Sequence, residues 1–503
     1  MISAHPILSC DQARELEARL FEGDELCEWA AMKLAGVSVA AAVLGDFREI
    51  GGFPSQGRIL VLAGKGHNAG DALLAAQEIM RRHPAALVDV IFIFGELTLR
   101  PLASRAWREC LEAGRDRVKI LRSKQLAQSA SYDLCLDGIF GFQFRPPLDL
   151  RASAVLSWVA GLPIRLRAAV DLPSGLDAPG AFKADFTYAT GSVKAPLLSC
   201  VNAGRSRYLD LGFFGDSERS GKQASRDFVL TREVLAPLAM LRPAQSDKRS
   251  FGHVFILGGS RFFPGAVLMS VLAALRSGVG LVTAFVPESL VSAYAARAPE
   301  AMWVGWPETP DGSLALEGIS LLRHRLGKAS SLVVGPGLGR DRETLALIES
   351  LVKTSEVPLV IDADALQPSV IKLGAAPRIL TPHAGEYLRI ANGAEPADFS
   401  KRRKATTLVL KGPMTCIAHG GVTYRSLFGG PVLARGGSGD ILAGLIGGLL
   451  AQTPADTLGA ASRGVAWHGL AADLLARAKG QVAVRTTDIL DVLPEALRAR
   501  GDE

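Results

Sequence analysis

Residues 434–444 read ARGGSGDILAG, four glycines and one serine around a single carboxylate, Asp440, where an apolar helix pattern begins. Free N–H groups and the macrodipole make a helix N-terminus a natural seat for an anion. An aspartate at such a place can be a plain N-cap. A cap, however, does not need Gly436, Gly437 and Gly439 ahead of it. Backbone stripped of side chains suits a phosphoryl group in transfer, and Asp440 suits a base that takes the proton of an attacking hydroxyl. Upstream, LVLKGPMT ends a strand pattern at Lys411, where the backbone of Lys411, Gly412, Pro413, Met414 and Thr415 can cradle nucleotide phosphates. LTPHAGE and VVGPGLG add His383 and a second strand-end glycine loop, each equally readable as an ordinary helix start or turn.

A second set of residues lies in the first half. LVLAGKGHNAGDALLAAQEI reads as strand, glycine turn and helix, with Gly64, Gly66 and Ala69 fitting G-x-G-x-x-G/A. No Lys-Ser/Thr follows, so it is not a P-loop, and a tight βα turn is the simpler alternative. Asp137 and Asp171 each end a later strand pattern and are followed by turn residues. Parallel strands present their carboxyl ends along one edge, so Asn68, Asp137, Asp171 and Ser174 are expected to converge there as oxygen ligands for a cation or a sugar hydroxyl. Taken singly, each aspartate is as well explained by capping the next turn.

The elements that must position these residues are short β-branched runs alternating with helical patterns, the signature of parallel sheets covered by helices. Strands are expected at 58–64, 87–95, 132–141 and 167–175, then at 252–260, 280–287, 330–337, 358–366, 378–383 and 406–412. Residues 214–250 are polar and aperiodic, which places a boundary near 215–225. The expectation is two three-layer αβα domains, 1–218 and 225–503, in a chain of 503 residues. A net charge of +6 is too mild to point to nucleic acid or a membrane surface, and the KRRK run at 401–404 reads as a solvated face. Six dispersed cysteines without a CxxC pair suit a reducing, cytoplasmic setting. The N-terminus lacks the pattern of a signal peptide.

The loop GKGHNAGDA, LDGIFGFQF and VDLPSGLDAPG resemble the motifs of the NAD(P)H-hydrate epimerase domain, roughly GNNGGDG, DALFGTG and D-x-PSGLDAD. The resemblance covers residues 5–215 and implies a Rossmann-like fold with Asn68, Asp137 and Ser174 as potassium ligands. It implies a substrate site lined by His67, Asn68, Ala69, Gly70, Asp71, Gly141, Phe142, Gln143, Phe144, Arg145, Pro146, Pro147 and Asp171. The resemblance makes Asp171 the candidate for the acid/base role as the C6 hydroxyl of the damaged nicotinamide ring changes face. The chain departs from the family at His67, at Ala69 and Ala72 in place of glycines, and at GFQF. The methyl of Ala69 is expected to restrict how closely the backbone approaches a phosphate.

GPGLG, TPH-x-GE, KG-x-x-T and GG-x-GD occur in that order and resemble the ribokinase-like ADP/ATP-dependent NAD(P)H-hydrate dehydratases over residues 240–495. The resemblance implies that Ala266, Gly337, His383 and Asp440 contact the hydrated dinucleotide (NADHX or NADPHX), and that Lys411 to Thr415 and Gly439 contact ADP or ATP held with Mg²⁺. Phosphorylating the ring hydroxyl makes it a leaving group, and an attached epimerase makes both epimers repairable. A homo-oligomer acting on small molecules, away from nucleic acid and membranes, is the expected form. Two other readings stay open: a vitamin-alcohol kinase of the same fold, and a first domain that only binds nucleotides or mediates association.

Overall fold

The computed structural model describes residues 2–122, 131–215 and 225–498. They divide into two compact units, one built on His5–Ser225 with Ala476–Gln481, the other on Arg226–Leu475 with Met1–Ala4 and Val482–Ala499.

In the first unit seven strands run parallel, in the spatial order Val118–Ile120, Leu87–Phe92, Arg58–Ala63, Tyr132–Gly138, Ile164–Val170, Phe186–Thr190 and Arg205–Leu209. After Arg58–Ala63 the chain builds outward on one side and then returns to pair on the other. The reversal falls between Arg58–Ala63 and Tyr132–Gly138, and ligands of open α/β sheets bind outside the carboxyl ends of strands at such a point. The sheet is buried on both faces, so its strands are near-continuous apolar runs such as ILVLA. Helix His67–Arg82 covers one face and packs on helix Glu25–Phe47 so closely that a Cβ on Gly36 would lie 2.5 Å from Leu74 Cβ. The helical stretch Glu25–Ile50 is long and apolar enough, by length and composition, to span a bilayer. It instead buries Trp29, Met32, Val39, Val43 and Phe47 in the core of this unit. Helix Cys10–Phe21 starts at a reciprocal capping box, Ser9 with Gln12.

In the second unit seven parallel strands run in the order Thr406–Leu410, Arg378–Leu380, Leu359–Ile361, Ser331–Val334, His253–Leu257, Leu281–Pro287 and Met302–Trp306. Beyond Thr406–Leu410 the sheet continues differently from the all-parallel expectation. Thr406–Leu410, Thr415–His419 and Val422–Ser426 pair antiparallel in succession, because the four-residue turn 411–414 leaves no room for a crossover helix. Strands too short or too exposed to stand out, among them Val118–Ile120 and Met302–Trp306, escape the sequence pattern.

Helix Ser438–Gln452 is buried along most of its length. A Cβ on Gly444 would lie 2.0 Å from Ser270 O of the crossing helix Pro264–Arg276, and one on Gly447 would lie 2.2 Å from Val333 Cγ2. These glycines exist for helix packing.

Candidate active sites

The first unit holds a cavity of about 350 Å³ at its sheet reversal, lined by His67, Asn68, Asp71, Gly141, Phe142, Gln143, Phe144 and Asp171 of the expected set. Asp171 ends its strand with φ 64°, a left-handed conformation that few side chains other than Asn and Asp tolerate. Its carboxylate accepts from Lys194 Nζ at 2.5 Å and from Phe142 N at 3.1 Å. Lys194 is 1% exposed, donates also to Thr190 O at 2.9 Å, and lies 5.3 Å from the centre of the Phe142 ring. Sequence reasoning missed this lysine, which sits unmarked in GSVKAPL.

Beneath the cavity Asp137 is fully buried and accepts from Ser174 N at 2.8 Å, Ser174 Oγ at 2.7 Å and Ile139 N at 3.2 Å. Burial pushes its carboxyl up to about 6, against the pull of those hydrogen bonds. Ser174 Oγ also accepts from Phe140 N at 2.9 Å, and Asn68 Nδ2 donates to Phe140 O at 3.0 Å. Asn68, Asp137 and Ser174 are therefore brought together through the Phe140 peptide. Their oxygens form a hard donor set around a buried carboxylate that, among the described residues, is met by neutral donors and no side-chain cation, which fits a monovalent cation.

Other expected residues fall elsewhere. Ala69 and Gly70 do not line the cavity. Their N–H groups bond back to Gly66 O, Ala69 is wholly buried in the core, and a Cβ on Gly70 would strike Met32 Sδ at 2.5 Å. The Ala69 methyl therefore packs in the core and does not line the cavity. Arg145, Pro146 and Pro147 are exposed beyond the cavity rim, with Arg145 paired to Asp11 at 3.4 Å.

In the second unit the strand ends bring Asp362, His383 and Lys411 to one edge of the sheet. Lys411 Nζ donates to Asp362 Oδ1 at 2.9 Å, and Asp362 also accepts from Thr381 Oγ1 at 2.7 Å. Burial opposes the charge of Lys411, but Asp362 beside it holds the amine above its ordinary range. Helix Ser438–Gln452 begins after Gly437, which has φ 90° and no side-chain cap, so Asp440 is not the N-cap but lies within the first turn. Its main chain is fixed by Ser270 Oγ, which donates to Asp440 O at 2.8 Å. Burial first, and then the Asp362 carboxylate, push the Asp440 carboxyl up to about 7 against the pull of Lys411. A Cβ on Gly439 would stand 3.0 Å from Lys411 Nζ, so this glycine lets the amine reach the helix start.

Gly337 turns at φ 66° against helix Pro264–Arg276, where its Cβ would lie 3.0 Å from Ala266 Cβ. His383 caps helix Ala384–Ala391: its Nδ1 accepts from Gly385 N and Glu386 N, and its side chain remains 61% exposed. Gly412 and Pro413 are exposed in the turn after Lys411, with Met414 and Thr415 half-buried. Asp362, and Asp364 with its bond from Gly339 N at 3.1 Å, went unnoticed in the sequence because VIDADAL reads as a strand end.

An uncapped glycine-rich helix start beside a lysine–carboxylate cluster at a parallel sheet edge is the equipment of an α/β enzyme that handles anionic groups. Residues 254–495 match the family described as NAD(P)H-hydrate dehydratase, and residues 25–195 match the YjeF-related protein N-terminus. The bifunctional NAD(P)H-hydrate repair enzyme of Gloeobacter violaceus is 35% identical over 94% of each chain. That of Moorella thermoacetica is 32% identical over 94% of this chain and 93% of its own. Among solved structures, a ribokinase-like superfamily protein of Enterococcus faecalis is similar with a TM-score of 0.49 and 30% identity, over 56% of this chain and 98% of its own. An ADP/ATP-dependent NAD(P)H-hydrate dehydratase of Bacillus subtilis, co-crystallised with ATP/Mg²⁺, has a TM-score of 0.45 and 28% identity, over 53% and 96%. The chain belongs to the bifunctional NAD(P)H-hydrate repair enzymes, and nicotinamide nucleotide repair is its function.

Proposed function

We propose that the second unit dehydrates the S epimer of hydrated NADH or NADPH at the expense of ADP or ATP, and that the first unit interconverts the R and S epimers. The observation that carries the dehydratase reading is the Asp362–Lys411–Asp440 cluster at the uncapped helix start. Asp440 takes the proton of the ring hydroxyl as that oxygen attacks the terminal phosphoryl of the nucleotide. N–H groups at Gly439 and Asp440, with Lys411, neutralise the charge that develops on the phosphoryl oxygens. Phosphate then departs as the ring nitrogen lone pair moves toward C6, and the resulting iminium loses a proton from C5 to solvent, restoring the C5=C6 double bond of the dihydronicotinamide. Ala266, Gly337 and His383 contact the hydrate, and Lys411, Gly412, Pro413, Met414, Thr415 and Gly439 contact the nucleotide. Mg²⁺ accompanying the nucleotide supplies further charge neutralisation. In the first unit Asn68, Asp137 and Ser174 would hold K⁺, which would supply a positive charge near the cavity floor. A cytoplasmic homo-oligomer without nucleic-acid or membrane partners belongs to the same reading, and sedimentation reads its association.

The test incubates the purified chain with Mg²⁺, ADP or ATP and mixed hydrate epimers, and follows the return of reduced-nicotinamide absorbance. Asp440→Asn is expected to lower kcat on the order of 10²–10⁴-fold. A carboxyl at about 7 is protonated below that pH and can act as a base only above it. The wild-type rate therefore falls as pH drops through about 7, and the variant loses that limb. An Asp440→Asn enzyme at full rate would sink the assignment, and a stable phosphorylated product would turn the second unit into a kinase.

A further inference from the structure

Glu17 lies in helix Cys10–Phe21, outside every motif of the first unit, in a sequence, DQARELEARL, that reads as a solvated amphipathic face. The fold does not leave it there. Its carboxyl is half-buried and lines the same cavity as Asp171, Asp71 and Lys194. Among the described residues no hydrogen bond or ion pair ties the Glu17 carboxyl, although Asp171 is held by Lys194 and by Phe142 N. Of the four carboxyls that line the cavity, Glu17, Glu28, Asp71 and Asp171, only Asp171 has its charge matched by a buried ammonium among the described residues, and Glu17 stands across from that pair with no cation of its own.

We propose that Glu17 is a catalytic residue of the first unit, the proton donor that works opposite Asp171 in inverting C6 of the hydrate. This rests on reading the cavity as the site of epimerisation. C6 carries both the hydroxyl and the ring nitrogen, so it inverts by opening and closing the ring without any change of oxidation state. Asp171 takes the hydroxyl proton, the C6–N1 bond breaks with its electron pair going to nitrogen, and Glu17 protonates that nitrogen. The aldehyde turns about the C5–C6 bond, the nitrogen adds to its other face, and both protons return to the groups they left. The sequence needs an acid and a base together, and a pair of carboxyls in unlike surroundings supplies them.

The surroundings are unlike in the required direction. Burial raises Glu17 to about 7 and the Asp171 charge adds to this, against the pull of Lys194. Burial, with Asp171 and Glu17, holds Asp71 well above the ordinary carboxylate range too. The other charged or titratable groups that line the cavity are Glu28, Lys65, His67, Asp71, Arg100, Asp171 and Lys194, of which Lys194, Asp171 and Glu28 act on Glu17 directly.

The experiment uses the full chain without adenine nucleotide, starting from one purified epimer of hydrated NADH, and follows its interconversion by chromatography. Glu17→Gln is expected to lower kcat on the order of 10²-fold beyond the spontaneous rate, with KM held. A proton donor works below its pKa, so the wild-type rate falls as pH rises through about 7 and the variant loses that limb. Glu17→Asp keeps the acid, shortens its reach and retains both a limb and part of the rate. A Glu17→Gln enzyme with the wild-type rate, or with the wild-type limb, overturns the assignment. So does a loss confined to KM, or one shared equally by Glu17→Asp together with a lowered melting temperature. Asp171→Asn separates the two readings: wild-type interconversion in that variant would remove epimerisation from the cavity altogether.

Discussion

Both units place a lysine–aspartate pair at the carboxyl edge of a parallel sheet, yet the two pairs are built for different work. Lys194 and Asp171 are 1% and 6% exposed, and the ammonium is further engaged by Thr190 O and the Phe142 face. Lys411 is 22% exposed over an Asp362 that is 2% exposed, with one carboxylate partner and an open approach past Gly439. A sealed lysine can only hold its own carboxylate in place. A half-open one keeps donors for a ligand's oxygens. The first arrangement fits proton transfer within an enclosed ring system, and the second fits charge arriving on a phosphoryl.

The largest way to break that comparison is to remove each lysine. Taking one partner from a buried pair leaves an uncompensated charge, at a cost of about 3–5 kcal/mol. Lys194→Met is expected to show the full effect, as a marked drop in the melting temperature of the first unit. Lys411→Met is expected to cost less, because water reaches its site, while nucleotide affinity falls strongly. Equal stability losses with unchanged nucleotide binding would erase the distinction.

Why the two pairs differed in legibility is a matter of local signal. Asp137, Asp171 and Asp440 announce themselves because each carboxylate stands where an apolar run meets glycine, proline or serine. Lys194 follows a buried strand through GSVKAPL with no such mark, and its partner is 23 residues away in the chain. Glu17 hides in a helix whose charged residues look solvated, since nothing in a 3.6-residue period says which carboxylate a later loop will cover. That the central strands run parallel followed from βαβ alternation, but their spatial order did not. The antiparallel strands after Lys411 did not, because a four-residue turn and a crossover loop look alike until the hydrogen bonds are known.

A smaller effect separates the glycines before Asp440. Gly437 has φ 90°, and a Cβ there would meet Met269 Sδ at 2.4 Å, so Gly437→Ala is expected to cost about 1–2 kcal/mol from the backbone alone. Nothing lies within 4 Å of a Cβ on Gly436, and its φ is not positive. Gly436→Ala is therefore expected to leave stability within about 0.5 kcal/mol while weakening nucleotide binding, as calorimetry and melting curves together would show. A Gly436→Ala enzyme with unaltered affinity and rate would mean that the open backbone before Asp440 faces no ligand.

The smallest effect concerns Ala69, where the sequence departs from its family and a methyl seemed placed to hinder a phosphate. The structure turns that methyl into the core, fully buried, while the neighbouring Asn68 and Asp71 face the cavity. Two adjacent positions in a helical first turn point about 100° apart, so a motif cannot say which of them a ligand sees. Restoring glycine should therefore leave epimerisation unchanged. Ala69→Gly should instead cost about 0.5–1 kcal/mol, through lost helix propensity and a lost core methyl. If that variant interconverts the epimers faster than wild type, the Ala69 methyl does reach the substrate, and the first turn of helix His67–Arg82 must bind its ligand by a face other than the one Asn68 and Asp71 present.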